Sequence, residues 1–372
     1  MRILTFFMLV LAFAAQAVSQ ITAQPVITDP AQITSRSKLD IHPFTIDKLY
    51  MTRGVGGSAW APDGKQVAFI TNISGRNNLW VVPAEGGWPA QLTVSNQRQV
   101  SPAWSSNNRW IAYASDYDGN EQWDIFLVSP GNGQVINLTN TPDASEENPA
   151  WSPNGEFLAY TVKPKVSSTY EIDVMEVATK QVRHLTTNTP KTLSNFNPRW
   201  SQDGKRIVYI QSDAAGKDTN IFIADVSTGK ATNLTAHQGE QTFAATDISP
   251  DGKTLLITSN SQNGYENAAL LDIATKKITW LTHDKWEIFS GNFSPDGKRL
   301  TWTANIDGNT GIFVYDVATR QYHPLPLAQG VNSLAGAETA FTRDGTRLLF
   351  NHNGPNAPND LWAFHFASAK PQ

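Results

Sequence analysis

The sequence predicts an all-β fold, a seven-bladed β-propeller of four-stranded antiparallel blades, and three observations carry that expectation. A short motif recurs seven times, the same apolar alternation follows each copy, and each unit closes on a similar short strand. The motif reads Trp60-Ala-Pro-Asp-Gly64, Trp104-Ser-Ser-Asn-Asn108, Trp151-Ser-Pro-Asn-Gly155 and Trp200-Ser-Gln-Asp-Gly204. It continues as Ile248-Ser-Pro-Asp-Gly252, Phe293-Ser-Pro-Asp-Gly297 and Phe341-Thr-Arg-Asp-Gly345, with copies 44 to 49 residues apart. A period of that length is the mark of a repeat architecture.

Each copy has the chemistry of a hairpin. Pro pre-sets φ for the first corner of a type I turn, Asp or Asn bonds back to the backbone, and Gly takes the left-handed position. In the second copy Asn108 stands for Gly, and Asn tolerates that conformation better than most side chains. Beyond the turn, Val67/Phe69, Ile111/Tyr113, Leu158/Tyr160, Ile207/Tyr209, Leu255/Ile257, Leu300/Trp302 and Leu348/Phe350 put two large apolar groups on one strand face. A third strand follows, as in Asp124-Ile-Phe-Leu-Val128, and a fourth ends on Leu-Thr or Leu-Pro. Four such strands make a blade, which hides its faces only when stacked in a closed ring. The last unit places its inner strand at Thr339-Ala-Phe341 and has an outer strand absent or only begun at Lys370, so the final blade is expected to be incomplete.

The rest of the chain divides by composition. Arg2, an apolar run from Ile3 to Ala15 and a small-x-small site at Ala15-Gln16-Ala17 predict a bacterial-type signal peptide over residues 1–19, and hence a periplasmic or secreted protein. Residues 20–53 read as an extension with a short helix capped by Thr45, and residues 54–372 as the propeller. The formal net charge of −4 and the absence of any basic stripe speak against nucleic acid as a partner. No second stretch approaches the ~20 apolar residues of a spanning helix. With no cysteine in the chain, thiolate metal sites and Cys nucleophiles are excluded.

The Trp/Phe-Ser-Pro-Asp-Gly-Lys repeat resembles that of TolB-type propellers. With Thr45-Ile-Asp-Lys-Leu49 ahead of the first blade, it is more similar still to the N-terminal propeller of the prolyl oligopeptidase family of serine peptidases, over residues 42–372. That resemblance implies a gate whose channel admits peptides, paired with a C-terminal α/β-hydrolase domain carrying a Ser-Asp-His triad. No serine here stands in a Gly-x-Ser-x-Gly elbow; Ser58, after Gly56-Gly57, is followed by Ala59-Trp60. No catalytic residue carries over, and the chain reads as a substrate-gating propeller without its hydrolase. The alternative is a periplasmic TolB-like module that binds a protein partner. A third reading, a polysaccharide lyase, needs a clustered His/carboxylate metal site that the sequence does not display.

Candidate site residues fall in two groups. Glu146, Glu147, His237, Glu240, His283 and Trp286 are expected on connections between blades, where they form a rim for substrate or partner. Arg199 and Asp247 are the exceptions to the small residues that precede each repeat's aromatic position, and are expected to face the channel. Asp116-Tyr-Asp-Gly-Asn-Glu121 has its Gly fourth, where an EF-hand needs it sixth, and equivalent turns recur in other blades. No metal or cofactor is expected.

Overall fold

The computed structural model describes residues 45–187, 192–336 and 338–371. The proposed signal peptide and residues 42–44 lie outside this set. Two compact units divide at Tyr50/Met51. In the first, the described residues form the helix Ile46–Tyr50, and Lys48 N–H donates to the Thr45 hydroxyl at 3.3 Å. The second is built of seven sets of four consecutive antiparallel strands.

Blade one is typical: Val55–Trp60, Gln66–Thr71, Asn78–Pro83 and Ala90–Gln91, each paired with the next. Five blades form separate sheets, while the sixth and seventh share one sheet through a parallel bridge at Thr310 and Val331. The turn glycines all have φ between 68 and 70°, and Asn108 sits among them at 63°. Around six of the turns, all but that of blade one where Ala61 stands, the Ser or Thr hydroxyl donates to the Asp or Asn side chain, as Ser249 does to Asp251 at 2.6 Å. That carboxylate also accepts the Lys253 N–H. The Leu-Thr ending has a physical role too. The Thr93, Thr139, Thr186, Thr235 and Thr282 hydroxyls each accept the N–H of a third-strand residue at 2.9–3.0 Å.

The core lies in the seams between blades. Ile111 and Tyr113 pack against blade one with Ala68 and Leu79, and Leu158 and Tyr160 pack against blade two with Ala112 and Ile125. The large residues of each second strand therefore face the preceding blade, and the residues between them face the following one. The seventh seam closes the ring with Leu349 and Ala363 of blade seven against Trp60 and Val67 of blade one. Indole donors tie seams together: Trp60, Trp151 and Trp200 Nε1 donate to the carbonyls of Ala340, Ala103 and Ala150 in the preceding blades. Trp104 Nε1 is buried without a partner. Arg347 completes the closure by donating to the Gly64 carbonyl at 2.6 Å and to Glu85 at 2.9 Å.

Blade seven departs from the expectation at its inner strand. The strand runs Val331–Leu334, and Phe341 keeps only one bridge, to Leu348. The chain leaves the sheet at Ala335 because Gly336 turns with φ +107°, where a Cβ would lie 2.2 Å from the Thr339 carbonyl oxygen. The fourth strand is Lys370–Pro371, paired with Ala357–His365.

If indole–carbonyl bonds secure the seams, Trp60→Phe should cost about 1 kcal/mol more than Trp104→Phe, whose indole has no acceptor to lose. Urea denaturation of the two variants checks this. Equal losses would contradict it.

Candidate functional site

Six inner strands carry an irregularity just ahead of the repeat's large apolar residue. In blades two, three and four it is a residue before proline held in the left-handed region: Ser101, Asn148 and Asn197, with φ of 52–55°. Such a bulge bends the strand and re-aims the side chains that follow.

Inside the ring lies a cavity of about 960 Å³. One turn residue from each blade lines it: Pro62, Ser106, Pro153, Gln202, Pro250, Pro295 and Arg343. Next to these come the seven repeat residues Trp60, Trp104, Trp151, Trp200, Ile248, Phe293 and Phe341. The lining then reaches the bulges, where Asn148, Asn197, Arg199, Asp247 and Glu338 stand. The cavity thus starts at the face that carries the Pro-Asp-Gly turns, with a mouth of prolines and small or polar groups over an aromatic wall.

At the bulge level three charged side chains meet. Asp247 accepts the N–H groups of Ile248 and Phe293 at 2.9 and 2.8 Å. Burial pushes its carboxyl up to about 6, against the pull of the Arg199 guanidinium. Glu338 accepts the Trp151 N–H at 2.7 Å. Burial lifts it to about 7, with Trp151 N–H and Arg199 opposing and Asp247 adding to the rise. Arg199 Nη1 in turn donates to the Glu338 carbonyl at 2.8 Å. Arg199 thus acts on both carboxyls through its charge, while its hydrogen bond goes to the Glu338 main chain.

Glu338 was invisible as a site residue in the sequence, because the Phe341 motif put Thr339 and Ala340 in a strand. A Glu within Leu334-Ala-Gly-Ala-Glu-Thr-Ala-Phe341, otherwise small residues, was the available signal.

The six expected rim residues do not form one group. Glu146 and Glu147 belong to the strand Ala144–Trp151, and Glu146 is buried, so it offers nothing to a rim. Its carboxylate accepts the Thr141 hydroxyl, and burial raises it to about 7. Glu147 is half-buried and also raised by burial. His237 is held by the Thr235 carbonyl at 2.8 Å, with Nε2 3.1 Å from Asp218, and packs on Phe243. Glu240, His283 and Trp286 are exposed on the connections into blades five and six, and His283 Nδ1 lies 2.7 Å from Gln262. Among the described residues no three His, Asp or Glu are grouped to hold a metal, and no helix is long and apolar enough to cross a membrane.

The family model of the TolB beta propeller domain matches residues 46–197 and 133–286. The chain belongs to that family. This TolB-type propeller is 26% identical over 105 residues to the uncharacterized peptidase YuxL of Bacillus subtilis, covering 27% of this chain and 16% of that protein. It is 26% identical over 120 residues to dipeptidyl-peptidase 5 of Porphyromonas endodontalis, 31% of this chain and 16% of that one. It is 30% identical over 71 residues to the Tol-Pal system protein TolB of Desulfosudis oleivorans, 19% of this chain and 16% of the other. The matches therefore span about a sixth of these relatives. Among solved structures, a prolyl endopeptidase superposes with a TM-score of 0.69 at 13% identity, over 87% of this TolB-type propeller and 50% of that chain. TolB from Acinetobacter baumannii gives 0.51 at 22% identity, over 72% and 65% of the two chains. An oligogalacturonate lyase from Vibrio parahaemolyticus gives 0.65 at 13%, over 84% and 91%. The chain is thus a TolB-type propeller related both to peptidase propellers and to TolB.

The buried carboxyl of Glu146 yields a pH prediction. Its value in the fold, about 7, lies above the ordinary 4.5, so its contribution is present below 4.5 and is lost as pH rises through 7. Glu146→Gln should melt close to the parent protein at pH 4.5 and above it at pH 8. A melting difference unchanged across that window would contradict the assignment.

Proposed function

We propose that this chain is the substrate-selecting, non-catalytic propeller of an exported serine peptidase of the prolyl oligopeptidase type. The observation that carries the reading is the axial cavity, which takes one mouth residue from each of the seven blades. A passage bounded by seven rigid turns fits one or a few extended strands of peptide and refuses a folded domain. Its walls of Trp, Phe and Pro offer apolar surface, and the bulges offer hydrogen-bonding groups to a peptide backbone. Similarity to three peptidases supports the reading. On it, an α/β-hydrolase partner supplies the nucleophile, base and oxyanion donors, while this chain contributes selection by size. The leader-like start at Arg2 to Ala17 supports action outside the cytoplasm.

The second reading, a binding module that docks a folded protein, is favoured by the segment similar to TolB. The exposed Glu240, His283 and Trp286 would then serve as its contact surface.

The two readings part in a binding experiment. Unstructured peptides of about ten residues should bind and change the fluorescence of the Trp60, Trp104, Trp151 and Trp200 wall. A folded protein of similar composition should leave it unchanged. Gln202→Trp, an exposed substitution at the mouth, should weaken peptide binding tenfold or more without lowering the melting temperature. Peptide binding indifferent to Gln202→Trp would overturn the axial reading.

A further inference from the structure

A second cavity, of about 520 Å³, opens in the seam between blades one and two and shares no lining residue with the axial one. The stacked rings of Tyr113 and Phe126, with centroids 5.6 Å apart, form one wall, and Tyr117 stands exposed at the edge. Asp116 and Asp124 line it, and no Lys, Arg or His does. The neighbouring Arg98 is engaged elsewhere: its guanidinium lies 5.0 Å above the Trp123 ring, and its charge acts on Glu147 of blade three.

Both carboxylates stand where other blades use an amide for the same structural work. Eight residues past the turn, Asn72 in blade one and Asn260 in blade five accept the N–H groups of Gly54 and Thr242, each at 2.9 Å. Asp116 does this for Arg98 N–H at 3.1 Å. At the start of the third strand, Asn78 and Asn267 accept the N–H groups of Ser95 and Asp284 at 2.8 and 2.9 Å. Asp124 does this for Thr141 at 3.1 Å. One side-chain oxygen suffices for each task, so the fold does not call for the negative charge. Asp124 Oδ2 is held by Asn137 at 2.8 Å, but no described residue donates to Asp116 Oδ2, although Asp116 is only 4% exposed. Gln122, which also lines the cavity, has its Oε1 buried without a partner. A buried acceptor left unpaired costs stability unless a ligand or water completes it.

We propose that this cavity is a binding site for a guanidinium group, with Asp116 Oδ2 and Gln122 Oε1 accepting its N–H groups and Asp124 adding negative charge. Two carboxylates with no cation among them favour a positive ligand, and an unpaired amide oxygen asks for a hydrogen-bond donor. Among the described residues no three His, Asp or Glu are grouped to hold a metal, which favours an organic cation. A guanidinium offers five donors in a flat fork and packs on aromatic rings, so it suits acceptors beside the Tyr113 and Phe126 wall better than a compact, strongly hydrated ammonium. The group could be borne by an arginine of a peptide or by a free guanidino compound. The site stands apart from the axial cavity and does not depend on the peptide-selecting reading.

Isothermal titration of the protein with butylguanidinium, butylammonium and butylurea at low salt tests the site. Butylguanidinium should bind with a Kd of about 1 mM or tighter. Butylurea, of the same shape but neutral, should not bind, and butylammonium should bind more weakly. Asp116→Asn should lower the affinity about tenfold or more, the loss expected of a hydrogen bond to a charged group. Its melting temperature should match the parent's, because Asn does the same structural work in blades one and five. Gln122→Leu, at a residue whose Oε1 holds nothing in the fold, should also weaken binding without lowering the melting temperature. An acetylated, amidated Ala-Arg-Ala peptide separates the two sources: binding at least as tight as that of butylguanidinium assigns the site to a peptide arginine, and weaker binding assigns it to a free guanidino compound. No binding of butylguanidinium, equal binding of butylurea or butylammonium, or an affinity unchanged in both variants would overturn the proposal.

Discussion

Seven inner strands converge on an axis without pairing with one another, and this constraint shapes the rest of the molecule. In a flat sheet the inner edge would find a neighbour, but here its N–H groups point at a shared space. Side chains take over the work of the missing strand. Asp247 serves two such groups, Ile248 and Phe293, Glu338 serves Trp151, and Thr339 Oγ1 serves Phe341 at 3.1 Å. Arg199 stands beside the two carboxylates, lowering the cost of their charge and donating to the Glu338 carbonyl. The charged cluster of the axis is thus a consequence of ring closure as much as an ornament of function.

The seams fix how many blades can converge. Each seam opposes two large groups of one blade to the smaller residues between strands of its neighbour, as Tyr113 meets Ala68 and Tyr160 meets Ala112. Wedges of that shape close only when the last meets the first. The contact of Arg347 with Gly64 and Glu85, and of Arg347 with the Trp60 ring at 5.1 Å, shows that meeting made by side chains and packing. The same substitution pattern in the turn, an Arg two residues after Gly, links blade four to five and six to seven through Arg206 and Arg299.

Most of this frame could be read in the sequence because it is local. The Pro-Asp-Gly turns, the alternation after them and the Leu-Thr endings are set by residues within a few positions of one another. Arg199 and Asp247 were legible as polar exceptions in a row of small residues, and both line the cavity. Glu338 was not, since its place depends on Gly336 breaking a strand and on three partners lying 46 to 187 residues away. Glu146 failed in the other direction. Its neighbours look like a loop, yet the bulge at Asn148 lets the strand start early and carries the carboxylate into the interior.

The peptide-selecting reading draws on a cavity that every blade lines and on the polar cluster at the level of the bulges. On that reading a peptide entering at the turn face would meet apolar walls first and the charged side chains of Arg199, Asp247 and Glu338 last. The direct test of that path is photo-cross-linking of a ten-residue unstructured peptide bearing a benzophenone, with the attachment sites mapped by mass spectrometry. Cross-links at the mouth and wall, to Pro62, Gln202, Arg343 and Trp104, are the predicted result. Cross-links confined to the outer strands or to the connections around Glu240 and Trp286 would contradict the account.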